Sequence, residues 1–174
     1  MNSILFCKRS FDTKETTVVI EWDHVWKISE VLTMEDDEDF GLYQIVGFHS
    51  VYGNRSLLYI GKAQDRPCAI RIREQLKEWV NYEWEIELYI GCIKLINDEK
   101  RFSNQMRSKT LSDAEKILIY FQAPSYNSKD LNKLLRNYLR VINVGYYGQL
   151  FPEVSKYAIK LGEKVRPRLA IYEE

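Results

Sequence analysis

The chain has 174 residues, which is long enough for one domain with a single core and too short for a second enzymatic domain. Hydrophobic residues make up 45% and charged residues 29%, a composition typical of a globular protein rather than a disordered or fibrous one. The 25 basic and 25 acidic residues cancel, which disfavours a protein that holds nucleic acid through bulk positive charge. The charge is uneven, however, because residues 1–40 are acidic and residues 41–174 are basic.

The N-terminal part predicts one clear strand. Thr16–Trp22 is rich in β-branched and aromatic residues, as strands are. Trp26–Met34 fits either a second strand or a short helix. The five consecutive acids Glu35–Asp39 repel one another, so we expect a loop there.

The next segments predict a hairpin followed by a helix. Phe40–Phe48 and Ser56–Gly61 are apolar segments, and between them the pair Gly53-Asn54 can supply the positive φ of a turn. From Asp65 to about Asn81, apolar residues recur at helical spacing. We therefore expect an antiparallel hairpin and an amphipathic helix.

The remaining pattern predicts another strand and three more helices. Trp84–Ile96 is typical of a long strand, and residues 97–110 read as a polar, basic connector. Ser112 and Glu115 match a capping box at the start of a short helix that Pro124 ends. We expect two further helices, Ser128 to about Arg140 and Pro152–Lys164.

The cysteines and the first residues bear on location. Cys7, Cys68 and Cys92 are widely spaced and form no C-x-x-C pair, so neither a disulfide framework nor a zinc site is indicated. The apolar stretch near Met1 is too short for a signal peptide, and no 18-residue apolar run follows. We expect a cytoplasmic protein that does not associate with membranes.

An ordered set of residues carries the functional prediction. Gly41-Leu42-Tyr43 is followed by Tyr59-Ile60-Gly61-Lys62, then by Arg71, and finally by Glu115 with Asn127 twelve residues later. In this order and spacing the set resembles the GIY-YIG nuclease superfamily over roughly residues 40–128. Three departures are Leu42 in place of Ile, a longer stretch between Tyr59 and Arg71, and Gln75 where some members carry His or Tyr.

The resemblance implies an α+β fold, a GIY-YIG-like domain with a central three-stranded antiparallel sheet flanked by helices. Residues 40–128 would form the nuclease core. Residues 1–39 would be an acidic N-terminal extension with one strand, and residues 129–174 a helical C-terminal extension packed on the core. It also implies Mg²⁺ or Mn²⁺ as cofactor and DNA as substrate.

The chemistry of phosphodiester hydrolysis suggests roles for the tyrosines. Tyr43 and Tyr59 would order the attacking water and relay its proton, provided that a cation such as Lys62 favours the phenolate. Gly61 would let the substrate approach the backbone closely.

The charged residues would act on phosphate and metal. Arg71 offers a planar fork for phosphate oxygens, with Arg73 as its rival, and Glu115 would hold the metal. Asn127 would fix the backbone or position a ligand. Arg73 and Lys77 are further candidates for nucleic-acid binding.

Each residue also has an ordinary structural explanation. A strand tyrosine usually packs, Glu115 can be the partner of Ser112 in a capping box, and Asn127 can cap a following helix. The joint placement favours a metal-dependent endonuclease that hydrolyses DNA phosphodiester bonds, with a restriction-type enzyme preferred. The alternatives are a structure-specific repair or recombination nuclease that acts with a protein partner, and a non-catalytic nucleic-acid-binding module. A homodimer, RNA as substrate and the target sequence stay open.

Overall fold

The computed structural model describes residues 16–33, 41–64, 66–79, 86–95, 104–131 and 139–155. These ranges contain six strands and three helices. The strands are β1 (Thr16–Lys27), β2 (Gly41–His49), β3 (Gly53–Ala63), β4 (Glu87–Leu95), β5 (Leu139–Gly145) and β6 (Glu153–Ser155). The helices are α1 (Ile28–Thr33), α2 (Cys68–Trp79) and α3 (Asn104–Gln122).

All six described strands belong to one curled, mixed sheet in the order β3-β2-β4-β1-β5-β6. Neighbouring strands are antiparallel except β1 and β5, which pair in parallel from Thr16↔Leu139 to Trp22↔Gly145. The prediction of a three-stranded sheet flanked by helices is therefore wrong. The strands β3, β2 and β4 do pair as three neighbours, but β1 continues the sheet on the far side of β4.

The sheet is covered on both faces. On one face α3 packs over apolar residues of several strands, including Ile20, Ile60 and Val141. On the other face α1 and α2 pack over Tyr43, Ile45 and neighbouring residues. This two-sided burial explains why β2 is buried at every position from Gly41 to Gly47 instead of alternating.

The hairpin prediction is confirmed, and its turn is shorter than expected, because β3 already begins at Gly53. Gly53 has a φ of 84°, as expected, but the second positive φ belongs to Arg55, inside β3, at 54° and not to Asn54. The β3 strand also carries a bulge. Ile45 pairs with Tyr59 and Val46 with Leu57, so Leu58 is an extra residue on the β3 side.

Three helix predictions are wrong in their bounds or type. Helix α3 begins at Asn104, inside the predicted connector and eight residues before Ser112. Residues 128–131 are not helical, residues 139–140 begin β5, and residues 132–138 lie outside the described part. Glu153–Ser155 is a strand, and the rest of the predicted last helix lies outside the described residues. The C-terminal flank thus supplies strands to the sheet.

Two predictions for the N-terminal part concern the Glu35–Asp39 loop and the segment from Trp26. The Glu35–Asp39 loop lies outside the described residues. In the segment from Trp26, Trp26 and Lys27 end β1 and Ile28–Thr33 form the short helix α1, so the helix alternative is confirmed and the described residues form no second strand there. No helix within the described ranges is long and apolar enough to cross a membrane.

A candidate active-site cleft at the edge of the sheet

The two tyrosines of the motif lie on adjacent strands and share one face of the sheet. Tyr43 on β2 pairs with Gly61 on β3, and the ring centroids of Tyr43 and Tyr59 are 6.0 Å apart. Tyr59 pairs with Ile45 and so lies on the α2 face, against the cluster that contains Tyr43. The tyrosine pair therefore follows from the pairing of β2 with β3.

Gly61 makes room for these two rings. A Cβ added there would lie 2.4 Å from Tyr43 Cζ, 2.5 Å from Tyr43 Oη and 2.7 Å from Tyr59 Cε1. A side chain at this position would therefore push the phenols away. The expectation that Gly61 admits the substrate to the backbone is replaced by this packing role, because the space beside it is already filled.

The hydroxyl of Tyr43 is buried and makes no hydrogen bond to the described residues. Tyr43 is fully buried, and its hydroxyl has no hydrogen-bond partner among the described residues. Burial raises the pKa of Tyr43, and Tyr59 adds to this effect while Arg71 opposes it. Tyr43 is thus a neutral phenol at physiological pH, and the prediction that a nearby cation favours its phenolate form does not fit this environment.

Lys62 and Glu115 meet on the opposite face of the edge strand. Lys62 Nζ lies 3.3 Å from Glu115 Oε2 and donates a hydrogen bond to Ser112 Oγ at 2.6 Å. Ser112 Oγ in turn donates to Gln64 Oε1 at 3.3 Å. Ser112 and Glu115 both lie inside α3, so the capping-box prediction is wrong. Burial raises the pKa of Glu115, whereas Lys62 lowers it.

Of the two arginines predicted as candidates for the phosphate, Arg71 on α2 lines the cleft and Arg73 does not. Arg71 Nη1 lies 2.6 Å from Glu74 Oε2, and Arg66 Nη1 lies 2.6 Å from Glu74 Oε1. The choice between Arg71 and Arg73 thus favours Arg71 on position. Lys77 belongs to α2, but its side chain lies outside the described part.

Asn127 fixes the exposed edge of β3. Its Nδ2 donates to Ile60 O at 2.9 Å, and its Oδ1 accepts from Ile60 N at 2.9 Å. The preceding Tyr126 N donates to Leu58 O at 2.8 Å. Of the two roles predicted for this amide, the structure shows backbone fixation, and because no helix follows at 128–131 the helix-cap alternative is wrong.

These residues surround one cleft because β3 is the edge strand. The tyrosines lie on the α2 face and Lys62 and Glu115 on the α3 face, but the sheet ends between them. An open cleft of about 290 Å³ therefore reaches groups from both faces. It is lined by Tyr59, Lys62, Gln64, Arg66, Arg71 and Glu115. Tyr43 is buried beside it, in contact with the Tyr59 ring.

The cleft offers two oxygen donors to a divalent metal ion. Among the described residues, no three His, Cys, Asp or Glu side chains form a group that could hold a metal ion. Glu115 supplies one carboxylate, and Gln64 supplies an amide oxygen from the same cleft. Mg²⁺ commonly keeps several waters and binds through one or two carboxylates plus substrate phosphates. The donor set thus suits a Mg²⁺ site that the substrate completes.

Several cleft residues were not predicted. Gln64 and Arg66 line the cleft, and Ser112 and Glu74 hold two of its cations, but none of them belongs to the recognised motif. Arg66 lies in the stretch between Tyr59 and Arg71 that is longer than the resemblance implies, and this extra length was its one sequence signal.

Comparisons with known proteins returned no match, whether with protein-family models, with curated proteins or with solved structures. The geometry of the cleft is therefore the basis for the function proposed below.

Proposed function

We propose that this protein is a metal-dependent endonuclease that hydrolyses phosphodiester bonds of DNA. The observation that supports this most is one cleft lined by a phenol, a guanidinium and a carboxylate from three different elements. These are Tyr59 from β3, Arg71 from α2 and Glu115 from α3. Hydrolysis of a phosphodiester needs an ordered water, positive charge on the phosphate and a stabilised leaving oxygen, and these groups suit those tasks.

The tyrosine pair is proposed to order the attacking water. Tyr59 lines the cleft. Tyr43 lies behind it, and its hydroxyl donates no hydrogen bond to any of the described residues. Because burial raises its pKa, Tyr43 stays a neutral phenol, which is a poor base but retains an O–H that can donate a hydrogen bond. Of the two roles predicted for Tyr43, base or relay, we therefore propose the relay, with Tyr59 in contact with the water.

Arg71 and Lys62 are proposed to face the phosphate. Arg71 carries a permanent charge and a planar set of N–H donors, which suits the non-bridging oxygens of a phosphate. Lys62 lines the same cleft and lies 3.3 Å from Glu115, where it opposes the rise in pKa that burial causes and so favours the ionised carboxylate. A bound Mg²⁺, held by Glu115 and waters, would add positive charge at the leaving oxygen.

Cleavage of supercoiled plasmid and branched DNA in Mg²⁺ tests the proposal. We expect wild-type protein to cut, and Glu115→Gln and Arg71→Ala to slow cutting by about 100-fold or more, as loss of a transition-state contact does. Arg140→Ala is the matched control, because Arg140 is 37% exposed like Arg71 and pairs with Glu153 in β6. Unchanged cutting by both cleft variants would refute the proposal.

The restriction-type and structure-specific readings predict different products. A restriction-type enzyme, which remains our preference, leaves ends that share a short palindrome when the cut products are sequenced. A repair or recombination nuclease instead cuts branched DNA at the junction and gains activity from a protein partner. A cytoplasmic location stays a prediction from the cysteine spacing.

A non-catalytic nucleic-acid-binding module is a second candidate, supported by the ion pairs of the cleft. Lys62 is paired with Glu115, and Arg71 with Glu74, so the charged groups neutralise one another. Calorimetric titration with Mn²⁺ discriminates the two. An endonuclease shows Mn²⁺ binding that Glu115→Gln abolishes, whereas a binding module shows neither this binding nor nicking of any DNA.

A further inference from the structure

One carboxylate joins two arginines at the rim of the cleft. Glu74 Oε1 lies 2.6 Å from Arg66 Nη1, and Glu74 Oε2 lies 2.6 Å from Arg71 Nη1. Arg66 precedes α2, and Glu74 lies within it, so the bridge ties the segment before the helix to the helix itself. The hydrogen bond from Arg71 holds the pKa of Glu74 below its usual value, so this carboxylate is ionised at neutral pH.

This bridge has the geometry of a bound phosphate. Each oxygen of the carboxylate accepts from a different guanidinium, as two non-bridging oxygens of a phosphodiester do when two arginines hold them. The two Nη1 atoms lie within about 7 Å of each other, because each contacts the same small anion. Arg66 and Arg71 are therefore already spaced to share one phosphate.

The bridge is also easy to replace. The side chains of Arg66, Arg71 and Glu74 are 59%, 37% and 36% exposed, and exposed ion pairs contribute little to stability. Each guanidinium has five N–H donors. Both arginines line the same cleft as Tyr59 and Glu115, where the DNA backbone would have to lie for cleavage.

We propose that Arg66 and Arg71 form a phosphate subsite for the DNA backbone, and that Glu74 occupies this subsite while no DNA is bound. The proposal rests on the proposed function in taking DNA as the ligand, and it adds Arg66 as a second arginine on the phosphate that Arg71 contacts. Glu74 competes with the phosphate for the guanidinium groups of both arginines. It therefore lowers the affinity for DNA and for other anions.

Binding of a fluorescein-labelled DNA duplex in EDTA, measured by fluorescence polarisation over a series of salt concentrations, tests the subsite without catalysis. We expect Arg66→Ala to lower affinity by about three- to tenfold and to reduce the slope of log affinity against log salt by about 1. We expect Glu74→Gln to raise affinity by a similar factor, because it removes the competing anion. Arg66→Lys keeps the charge and should restore the slope.

Two exposed ion pairs outside the cleft provide matched controls. Arg55 is 59% exposed and 2.6 Å from Glu87, so it matches Arg66 in both respects. Glu153 is 46% exposed and pairs with Arg140, and serves as the control for Glu74. Arg55→Ala and Glu153→Gln should leave affinity within about twofold of wild type, since neither residue lines the cleft.

The subsite is overturned if Arg66→Ala binds DNA like Arg55→Ala, if Glu74→Gln weakens binding, or if wild-type protein binds no duplex. These results are separable from failure of the nuclease proposal. If the protein cuts DNA but Arg66→Ala leaves its affinity for DNA unchanged, the nuclease proposal stands and the subsite proposal fails. If the protein cuts no DNA but Arg66→Ala lowers and Glu74→Gln raises its affinity for DNA, the subsite proposal stands and the nuclease proposal fails.

Discussion

At the residue scale, the two tyrosines of the site have different surroundings. Tyr59 reaches the cleft, whereas Tyr43 is fully buried with its hydroxyl unpartnered among the described residues. A buried hydroxyl without a partner costs free energy, because water no longer solvates it. Its presence in a packed core is easier to understand if the proton serves a function than if the residue only packs.

Replacement of Tyr43 by Phe separates these roles. We expect the free energy of unfolding to stay within about 1 kcal/mol of wild type or to rise, because no hydrogen bond is lost. We expect the cleavage rate to fall by about 100-fold if the hydroxyl relays the proton. Urea denaturation and plasmid cutting measure the two effects. Tyr89→Phe is the contrast, because Tyr89 donates to Glu87 at 2.7 Å, and loss of that bond should cost about 1 kcal/mol. A marked loss of stability in Tyr43→Phe would contradict the assignment.

The carboxyls of Glu115 and Glu74 are expected to affect stability in opposite directions. Burial raises the pKa of Glu115, so its ionised form is less favourable in the folded chain than in the unfolded chain. Glu115→Gln should therefore be more stable than wild type above the folded pKa, and this difference should vanish as the pH falls below the unfolded pKa. The Arg71 hydrogen bond lowers the pKa of Glu74, so Glu74 contributes stability above its unfolded pKa that is lost as the pH falls through its folded pKa.

Urea denaturation of Glu115→Gln and Glu74→Gln between acidic and neutral pH measures this prediction. The two differences from wild type should have opposite signs at neutral pH and should both approach zero in acid. Equal signs would show that the environment of Glu115 is not the one described above.

At the element scale, the edge strand β3 depends on the segment that follows α3. Asn127 satisfies both backbone groups of Ile60, on the edge of β3 that no strand of the described residues pairs. This is the backbone between Tyr59 and Gly61, so the amide holds the strand from which two site residues come. The twelve-residue spacing of Glu115 and Asn127 therefore joins α3 to β3.

Asn127→Ala should destabilise the protein by about 1–3 kcal/mol, because two backbone groups lose their partner. It should also weaken cleavage more than this loss explains, since Tyr59 and Gly61 lose their support. Urea denaturation, plasmid cutting and hydrogen exchange of the Ile60 amide measure the three consequences. Ser128→Ala changes an exposed neighbour and serves as control. An Ile60 amide that exchanges as slowly as in wild type would contradict this prediction.

The elements that sequence patterns predicted well are those with local signals. The hairpin, α2 and β4 were recognised because their apolar periods are clear within ten or so residues. The start of α3 was missed because Ser112-x-x-Glu115 has the spacing of a cap and also the spacing of one helix turn. In the structure that spacing places both side chains on Lys62.

At the scale of the whole molecule, the two ends of the described chain meet in the sheet. Strand β1 pairs in parallel with β5, more than 100 residues later. The connection is reinforced in the core, where Trp22 Nε1 donates to Asn143 Oδ1 at 2.9 Å and Asn143 Nδ2 donates to Phe151 O at 2.7 Å. A residue's partner at such a distance along the chain leaves no local pattern, which is why the six-stranded sheet was not predicted.

Asn143→Ala should lower the free energy of unfolding by about 2–3 kcal/mol, because the buried Trp22 N–H loses its acceptor. Since β1 and the cleft strands share one sheet, we expect tryptophan fluorescence and DNA binding to be lost together in a single urea transition. Asn54→Ala changes an exposed residue near the start of β3; it is the control and should change little. Separate transitions for the two signals would show that the sheet halves unfold independently.

Four residues named from the sequence line one cleft in the structure: Tyr59, Lys62, Arg71 and Glu115. Their roles as a nuclease site stay a prediction. Arg66 and Glu74 depend on how the loop before α2 closes on the helix. That closure follows from tertiary contacts, and no periodic pattern encodes it.

The extra residue at Leu58 makes the two arms of the hairpin unequal in count. Leu57 and Tyr59 pair with the consecutive residues Val46 and Ile45 of β2, so Leu58 is the residue that the ladder does not need. Loss of its single codon would leave every motif letter intact, replace the bulge by a regular ladder and keep the phenol on its present face. The partner opposite Tyr59, rather than the residue count of the hairpin arm, thus decides which side of the sheet the phenol occupies.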